Sequence, residues 1–198
     1  MKIKKLISAL VLGSMLVGLS GCNITDFSAE NLLRPPKAVG DEAEIEQLIA
    51  KTADSGYTLK YPKNGKFRSA IIMTDLDGND SNEAVAFFRN SAETSSVHML
   101  VMYSKDTSWE IVSDTIFETT DIDSVDFADL TGNGKAEIIV NSTTYTPNVG
   151  KLSCYSYSEG KTNEVGSGQS CSSFVTGDFD NDGTSEIISL VLYTTENE

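Results

Sequence analysis

Histidine, cysteine and basic residues are scarce in this chain, and each scarcity removes a class of chemistry. One histidine, His98, and three cysteines occur in 198 residues. Nucleophile–histidine catalysis would rest on that single imidazole, which lies in the strand-like "VHMLVMY" and suits an ordinary sheet position. The sequence contains no H-E-x-x-H, no G-x-S-x-G and no Walker loop. Ser158 and Lys161 fit S-x-x-K by letter only, in a turn-like stretch without companion motifs. No C-x-x-C occurs, so a thioredoxin-like redox role has no support. Lys and Arg number 15 against 29 Asp and Glu, a formal charge of −14. Such a surface repels nucleic acid and favours cations. Carboxylates are abundant enough to leave acid–base catalysis open, but nothing else points to an enzyme.

What the chain does have begins at its N-terminus. "MKIKKLISALVLGSMLVGLSGC" opens with Lys2, Lys4 and Lys5, continues as an apolar run from Leu6 to Leu19, and ends in small residues. That run is short for a bilayer span and has the layout of a secretory signal, residues 1–21. Leu19-Ser20-Gly21-Cys22 resembles the lipobox of bacterial lipoproteins. The resemblance implies that Cys22 is acylated and that residues 22–40 tether the chain to the extracytoplasmic face of a cell membrane. Removing the signal takes away three lysines and no acids, leaving 12 Lys and Arg against 29 Asp and Glu, a charge of −17. Cys154 and Cys171 then remain as an even pair in an oxidising compartment. They lie in "KLSCYSYS" and "GQSCSSFV", joined by "EGKTNEVGSG"; a hairpin there could face them for a disulfide, and two free buried thiols are the competing reading.

Pro35-Pro36 makes a stiff extended segment. Residues 41–56 hold one short helix, "DEAEIEQLIAKTAD" followed by a stop at Gly56. Its acids stand at the positive end of the dipole, and Ile45, Leu48 and Ile49 share a face. From Tyr57 to residue 198 the texture is short β runs at regular intervals with frequent turn residues and no alternating helices, an all-β design.

Within that region a repeat stands out. Asp75-Leu-Asp-Gly-Asn-Asp-Ser-Asn-Glu83 recurs as Asp129-Leu-Thr-Gly-Asn-Gly-Lys-Ala-Glu137 and as Asp178-Phe-Asp-Asn-Asp-Gly-Thr-Ser-Glu186. The starts are 54 and 49 residues apart, about one four-stranded propeller blade. Each run begins with Asp, closes on Glu eight residues later and leads into an apolar strand. A hard divalent cation wants six to eight oxygens from a compact loop, and this spacing delivers them as Ca²⁺ requires. Helices flank an EF-hand and its glutamate comes at position 12, so strands and a position-9 glutamate disfavour that motif. Ligand positions are Asp178, Asp180, Asp182 and Glu186; Asp75, Asp77, Asn79 and Glu83; and Asp129, Asn133 and Glu137, with Thr131 in place of an acid. Ligand charge predicts that affinity falls in that order. Asp80 occupies a position where glycine is expected, which Asp tolerates because it can visit the left-handed region. The competing reading makes these loops Asx-type turns whose acids cap the backbone.

The loops resemble FG-GAP or VCBS repeats of integrin-α-like β-propellers over about residues 66–193, and the whole chain is similar to bacterial lipoproteins carrying an L-L-R-P-P-K segment. The resemblance implies a partial β-propeller of about two and a half four-stranded blades. A closed ring needs at least four, so the chain reads as truncated, or its last apolar strand pairs with another chain. The expected function is a lipid-anchored calcium-binding module for surface interaction with a protein or glycan ligand. The alternative is a fragment of a polysaccharide lyase or glycosidase whose catalytic blades are absent. Trp109, Tyr103, Tyr155 and Tyr157 are expected to fill space between blades rather than line a binding platform.

Overall fold

The computed structural model describes residues 40–192 except 54, 55, 107, 147 and 159. The signal, Cys22, the tether and the Pro35-Pro36 segment lie outside the described residues. The fold begins with helix α1 (Asp41–Thr52) and continues entirely in strands: β1 (Tyr57–Leu59), β2 (Ile71–Thr74), β3 (Glu83–Asn90), β4 (Val97–Lys105), β5 (Ser108–Phe117), β6 (Ile122–Ala128), β7 (Glu137–Thr143), β8 (Gly150–Ser158), β9 (Lys161–Cys171), β10 (Ser173–Gly177) and β11 (Glu186–Leu190). All pairings are antiparallel.

Three sheets form. In the first, β1 and β2 lie end to end along one edge of β3, and β4 and β5 follow on its other side. The second is the four-stranded meander β6-β7-β8-β9, and the third is the hairpin β10-β11. The strands that open these units, β2, β6 and β10, start at residues 71, 122 and 173, an even spacing of 51. The expected all-β fold with a single short N-terminal helix is therefore present in the described residues.

Side-chain alternation explains how the sheets stack. Along β3, Val85 and Phe87 point to one face and Ala84, Ala86 and Phe88 to the other, as a period of two dictates. Val85, Phe87, Met99 and Val101 pack with Val125, Ile138, Val140, Tyr155 and Tyr157 of the second sheet. Ala84, Phe88, Leu100 and Met102 pack under α1, against fully buried Ile45 and Ile49. Ile139 and Leu152 turn the other way and meet Phe174 and Ile187 of the hairpin. The order of layers is thus α1, first sheet, second sheet, hairpin. Strands β3, β4 and β7 are covered on both faces, which is why they read as unbroken apolar runs.

The helix is fixed by polar contacts as well as by its apolar stripe. Trp109 donates its backbone N–H to Glu44 Oε1 at 2.9 Å, and its indole N–H to Asp41 Oδ1 at 3.4 Å. Two first-turn acids thus serve both the dipole and the β5 edge. Tyr155 and Tyr157 fill space between the two larger sheets, as expected, whereas Trp109 lies beneath the helix. Tyr103 is half-buried and donates to Glu110 at 2.8 Å.

The cysteine expectation needs correction. The turn after β8 is far shorter than "EGKTNEVGSG" suggested, because β9 already begins at Lys161. The resulting register sets Cys154 opposite Gly166 and Cys171 opposite Gly150, so the two are displaced along the ladder. Both thiols are free, and both face the layer beneath the hairpin.

Candidate metal centre

The three acidic corners connect the same strands of each unit: β2 to β3, β6 to β7 and β10 to β11. Their backbones agree position by position. The fourth residue has positive φ in each (Gly78 74°, Gly132 69°, Asn181 62°), and so does the sixth (Asp80 66°, Gly134 79°, Gly183 91°). Asp80 does adopt the left-handed conformation. Two such residues in three steps fold the loop tightly enough to turn its side chains inward.

Hydrogen bonds repeat as faithfully. The first aspartate caps the loop: Asp75 Oδ2 accepts the Asp80 N–H at 2.9 Å, Asp129 Oδ2 that of Gly134 at 2.7 Å, and Asp178 Oδ2 that of Gly183 at 3.0 Å. The fifth residue accepts from the seventh, Asn79 from Ser81, Asn133 from Lys135 and Asp182 from Thr184, at 2.7–2.8 Å. The closing glutamate reaches back to the N–H of the second residue: Glu83 to Leu76 and Glu137 to Leu130 at 2.8 Å, Glu186 to Phe179 at 2.9 Å. The Asx-capping reading is therefore correct as far as it goes. It accounts for one role of these acids but not for their accumulation, since a carboxylate has lone pairs to spare after such bonds.

The corners differ in what remains after capping. Asp75, Asp77 and Glu83 each bring a ligand oxygen within 4.8 Å of the others, as do Asp178, Asp180, Asp182 and Glu186. Both clusters are able to hold a metal ion. The middle corner has two carboxylates, Asp129 and Glu137, with Asn133, and Thr131 there only donates its N–H to Asp129. Burial separates the two clusters: the acids of 178–186 are mostly exposed, while Glu83 is 3% exposed.

The first corner also carries an electrostatic debt. Asp77 Oδ1 is buried without a hydrogen-bond partner, an arrangement that costs a carboxylate dearly unless a cation compensates it. Burial pushes the Glu83 carboxyl above its ordinary value, the Leu76 N–H opposes this, and the charges of Asp77 and Asp75 push it further up. Tyr157, from the second sheet, is driven to about 12 by burial and by the nearby charges of Glu83 and Asp77. At Asp75 burial raises the pKa, but the N–H groups of Asp80, Gly78, Asn79 and Asp77 outweigh it and hold it low. All these groups are oxygen donors, and a hard cation is what such a set fits.

Successive corners touch. Ala136, eighth in the second corner, donates its N–H to Leu76 O at 3.0 Å, and Ser185, eighth in the third, donates to Asp129 O at 2.8 Å. A Cβ on Gly78 would stand 2.7 Å from Gly134 O, and one on Gly132 would stand 2.9 Å from Thr184 Oγ1. Sequence spacing did not reveal this contact, because it depends on how neighbouring sheets stack.

His98 is 7% exposed in β4, stacked on Phe88 and set between carboxylates: Nδ1 lies 2.9 Å from Asp114 and Nε2 3.1 Å from Glu93. Ser96 also binds Glu93. No sequence pattern signalled this cluster, whose members come from two strands and a turn. Ser158 ends β8 and Lys161 opens β9, where they face each other across the ladder as a register pair. Comparison with protein-family models, curated proteins and solved structures finds no match.

Proposed function

We propose that this protein is a calcium-stabilised β-blade module, held by lipid on Cys22 at the extracytoplasmic face of a membrane and serving surface interaction with a protein or glycan. Ca²⁺ acts structurally in this reading. It neutralises the acids that the corners crowd together and locks the turn that starts each sheet. The observation that carries it is the buried, unpartnered Asp77 Oδ1 beside Asp75 and Glu83. A corner that existed only to cap its backbone has no use for a third carboxylate with one oxygen buried and unpartnered.

The blade reading is supported by the 51-residue spacing, by the meander order of the second sheet and by the matching hydrogen bonds from corner to corner. Corners in register at one end of stacked sheets are what propeller-type blades present. Asp75, Asp77, Asn79 and Glu83 form one site, and Asp178, Asp180, Asp182 and Glu186 another. Asp129, Asn133 and Glu137 offer too little charge for comparable affinity. Among the described residues no helix is long and apolar enough to cross a membrane, so attachment in this reading comes from the lipid alone.

Thermal unfolding of the metal-stripped chain, with and without added calcium, tests the structural role. A calcium-dependent rise in Tm that Asp77→Asn reduces supports it. An identical Tm in both conditions removes it.

A further inference from the structure

We propose that a small cleft between the β5–β6 connection and the β7–β8 turn is a binding site for one neutral sugar ring. The inference rests on the glycan arm of the proposed function and gives that arm a place on the molecule. The cleft measures about 200 Å³ and is bordered by Glu118, Thr120, Thr143, Thr144, Tyr145 and Lys151. That is below the ~300–1,000 Å³ of sites for drug-sized ligands, so it suits a single ring rather than an extended chain. Its residues belong to the passage from the first sheet to the second and to the β7–β8 hairpin; none comes from β10, β11 or the residues after them. It lies at the opposite end of β7 from the 129–137 corner.

The floor is fixed before any ligand arrives. Thr119, 7% exposed, donates its hydroxyl to Thr143 O at 2.7 Å, and Thr143 Oγ1 donates to Asp121 O at 3.0 Å. Thr143 also donates its backbone N–H to Asp121 O at 3.0 Å, so the end of β7 is tied to the connection. Thr144 donates its hydroxyl to Val149 O within its own turn. The hydroxyl protons of Thr143 and Thr144 are thus spent on backbone carbonyls, while each oxygen keeps a lone pair. Acceptors of this kind call for a ligand rich in hydroxyl donors.

Charge and shape narrow the ligand further. Glu118 and Lys151 border the cleft with opposite signs. An anion would meet the carboxylate and a cation the ammonium, whereas an uncharged polyol donates to the first and accepts from the second. One carboxylate is too few for a calcium site, which sets this cleft apart from the acidic corners. Tyr145 is 94% exposed, more than any other large hydrophobic among the described residues. Its ring offers a flat apolar face with a polar tip, and the C–H face of a pyranose stacks on such a surface.

Saturation-transfer NMR on residues 22–198 in calcium-containing buffer, with methyl glycosides of glucose, galactose, mannose and N-acetylglucosamine at up to ~10 mM, tests it. Glucuronate and glucosamine serve as charged comparators. At least one neutral glycoside is expected to receive signal at its ring C–H protons. Tyr145→Ala should weaken that binding by about tenfold or more with an unchanged circular-dichroism spectrum, and Tyr145→Phe, which keeps the ring, should retain it. Tyr61→Ala, at another exposed tyrosine that does not border the cleft, should leave the signal unaltered. Silence from every neutral glycoside overturns the proposal. So does signal that Tyr145→Ala leaves intact, or signal from the charged sugars alone. Those results leave a calcium-dependent Tm in place, and a missing calcium response beside a sugar signal would remove the structural metal and keep the cleft.

Discussion

Ala136 donates its backbone N–H to the Leu76 carbonyl at 3.0 Å, which ties the second acidic corner to the first. Ser185 makes a similar bond, one position earlier in the accepting corner, onto the Asp129 carbonyl. The first and second corners are therefore each held from both sides: by their own capping carboxylates and by the corner that follows. The closing glutamates of the first two corners are both buried, Glu83 at 3% and Glu137 at 1% exposure, and the first corner is the one whose Asp77 Oδ1 is buried without a partner.

Gly78 is expected to be the least replaceable residue of that contact. Alanine there would keep a positive φ of 74° and push its Cβ to 2.7 Å from Gly134 O, a backbone atom with little freedom to retreat. Gly78→Ala should cost about 2–3 kcal/mol in urea unfolding. Gly134→Ala shares the left-handed backbone but meets nothing within 4 Å. It should cost about 1 kcal/mol, and equal losses would deny the steric part of the argument.

Asp77→Asn separates capping from chelation. Removing the charge of this half-buried carboxylate, whose Oδ1 has no partner, should raise the metal-free stability, by about 1 kcal/mol, while abolishing the calcium response of the first corner. Asp75→Asn should instead lower metal-free stability, because Asp75 accepts from Gly78, Asn79 and Asp80. Chelator-treated melting curves of both variants make the comparison, and a matching loss in the two would mean that Asp77 is only a cap.

Asp121 should supply part of the acid sensitivity. Burial raises its pKa, but Lys60 at 2.8 Å and Lys63 at 3.2 Å outweigh it and hold the carboxyl below the usual range. A lowered folded-state pKa favours folding above the ordinary aspartate value near 3.9, and that contribution disappears as pH falls through the folded pKa. Asp121→Asn should cost about 1 kcal/mol or less at neutral pH, given the pair's partial exposure. The gap to the parent should close below about pH 4. A gap that widens on acidification would reverse the assignment.

Because the β8–β9 register keeps Cys154 and Cys171 apart, a chain of residues 22–198 carrying Cys22→Ser should titrate two free thiols after denaturation under non-reducing conditions. Reductant should leave its Tm unchanged. A single oxidised pair would place the second sheet in a different register.

Much of this fold was legible in sequence because local patterns decide it. Short apolar runs set off by turn residues marked the strands, and Ile45, Leu48 and Ile49 marked the helix face that α1 buries. The corner residues declared themselves by spacing, and positive φ at Asp80 followed from the glycine it replaces. What sequence left hidden is non-local. Cys154 and Cys171 depended on a strand register set by a turn at Gly160, not by the apolar pattern. Trp109 sits beneath α1 because acids 65 and 68 residues away accept its N–H groups. Asp77 looks like any loop acid until the fold leaves its Oδ1 buried without a partner and sets its charge near Tyr157 of the second sheet.

Calorimetric titration of calcium into metal-stripped residues 22–198 tests the central claim most directly. Saturable binding is expected at two corners, with Asp77→Asn deleting one class of site and Asp180→Asn weakening the other. Extracellular calcium modules reach dissociation constants of about 1 mM at the weak end, so titration to ~10 mM covers the range. No binding heat up to that concentration, with an unchanged Tm, would contradict the account.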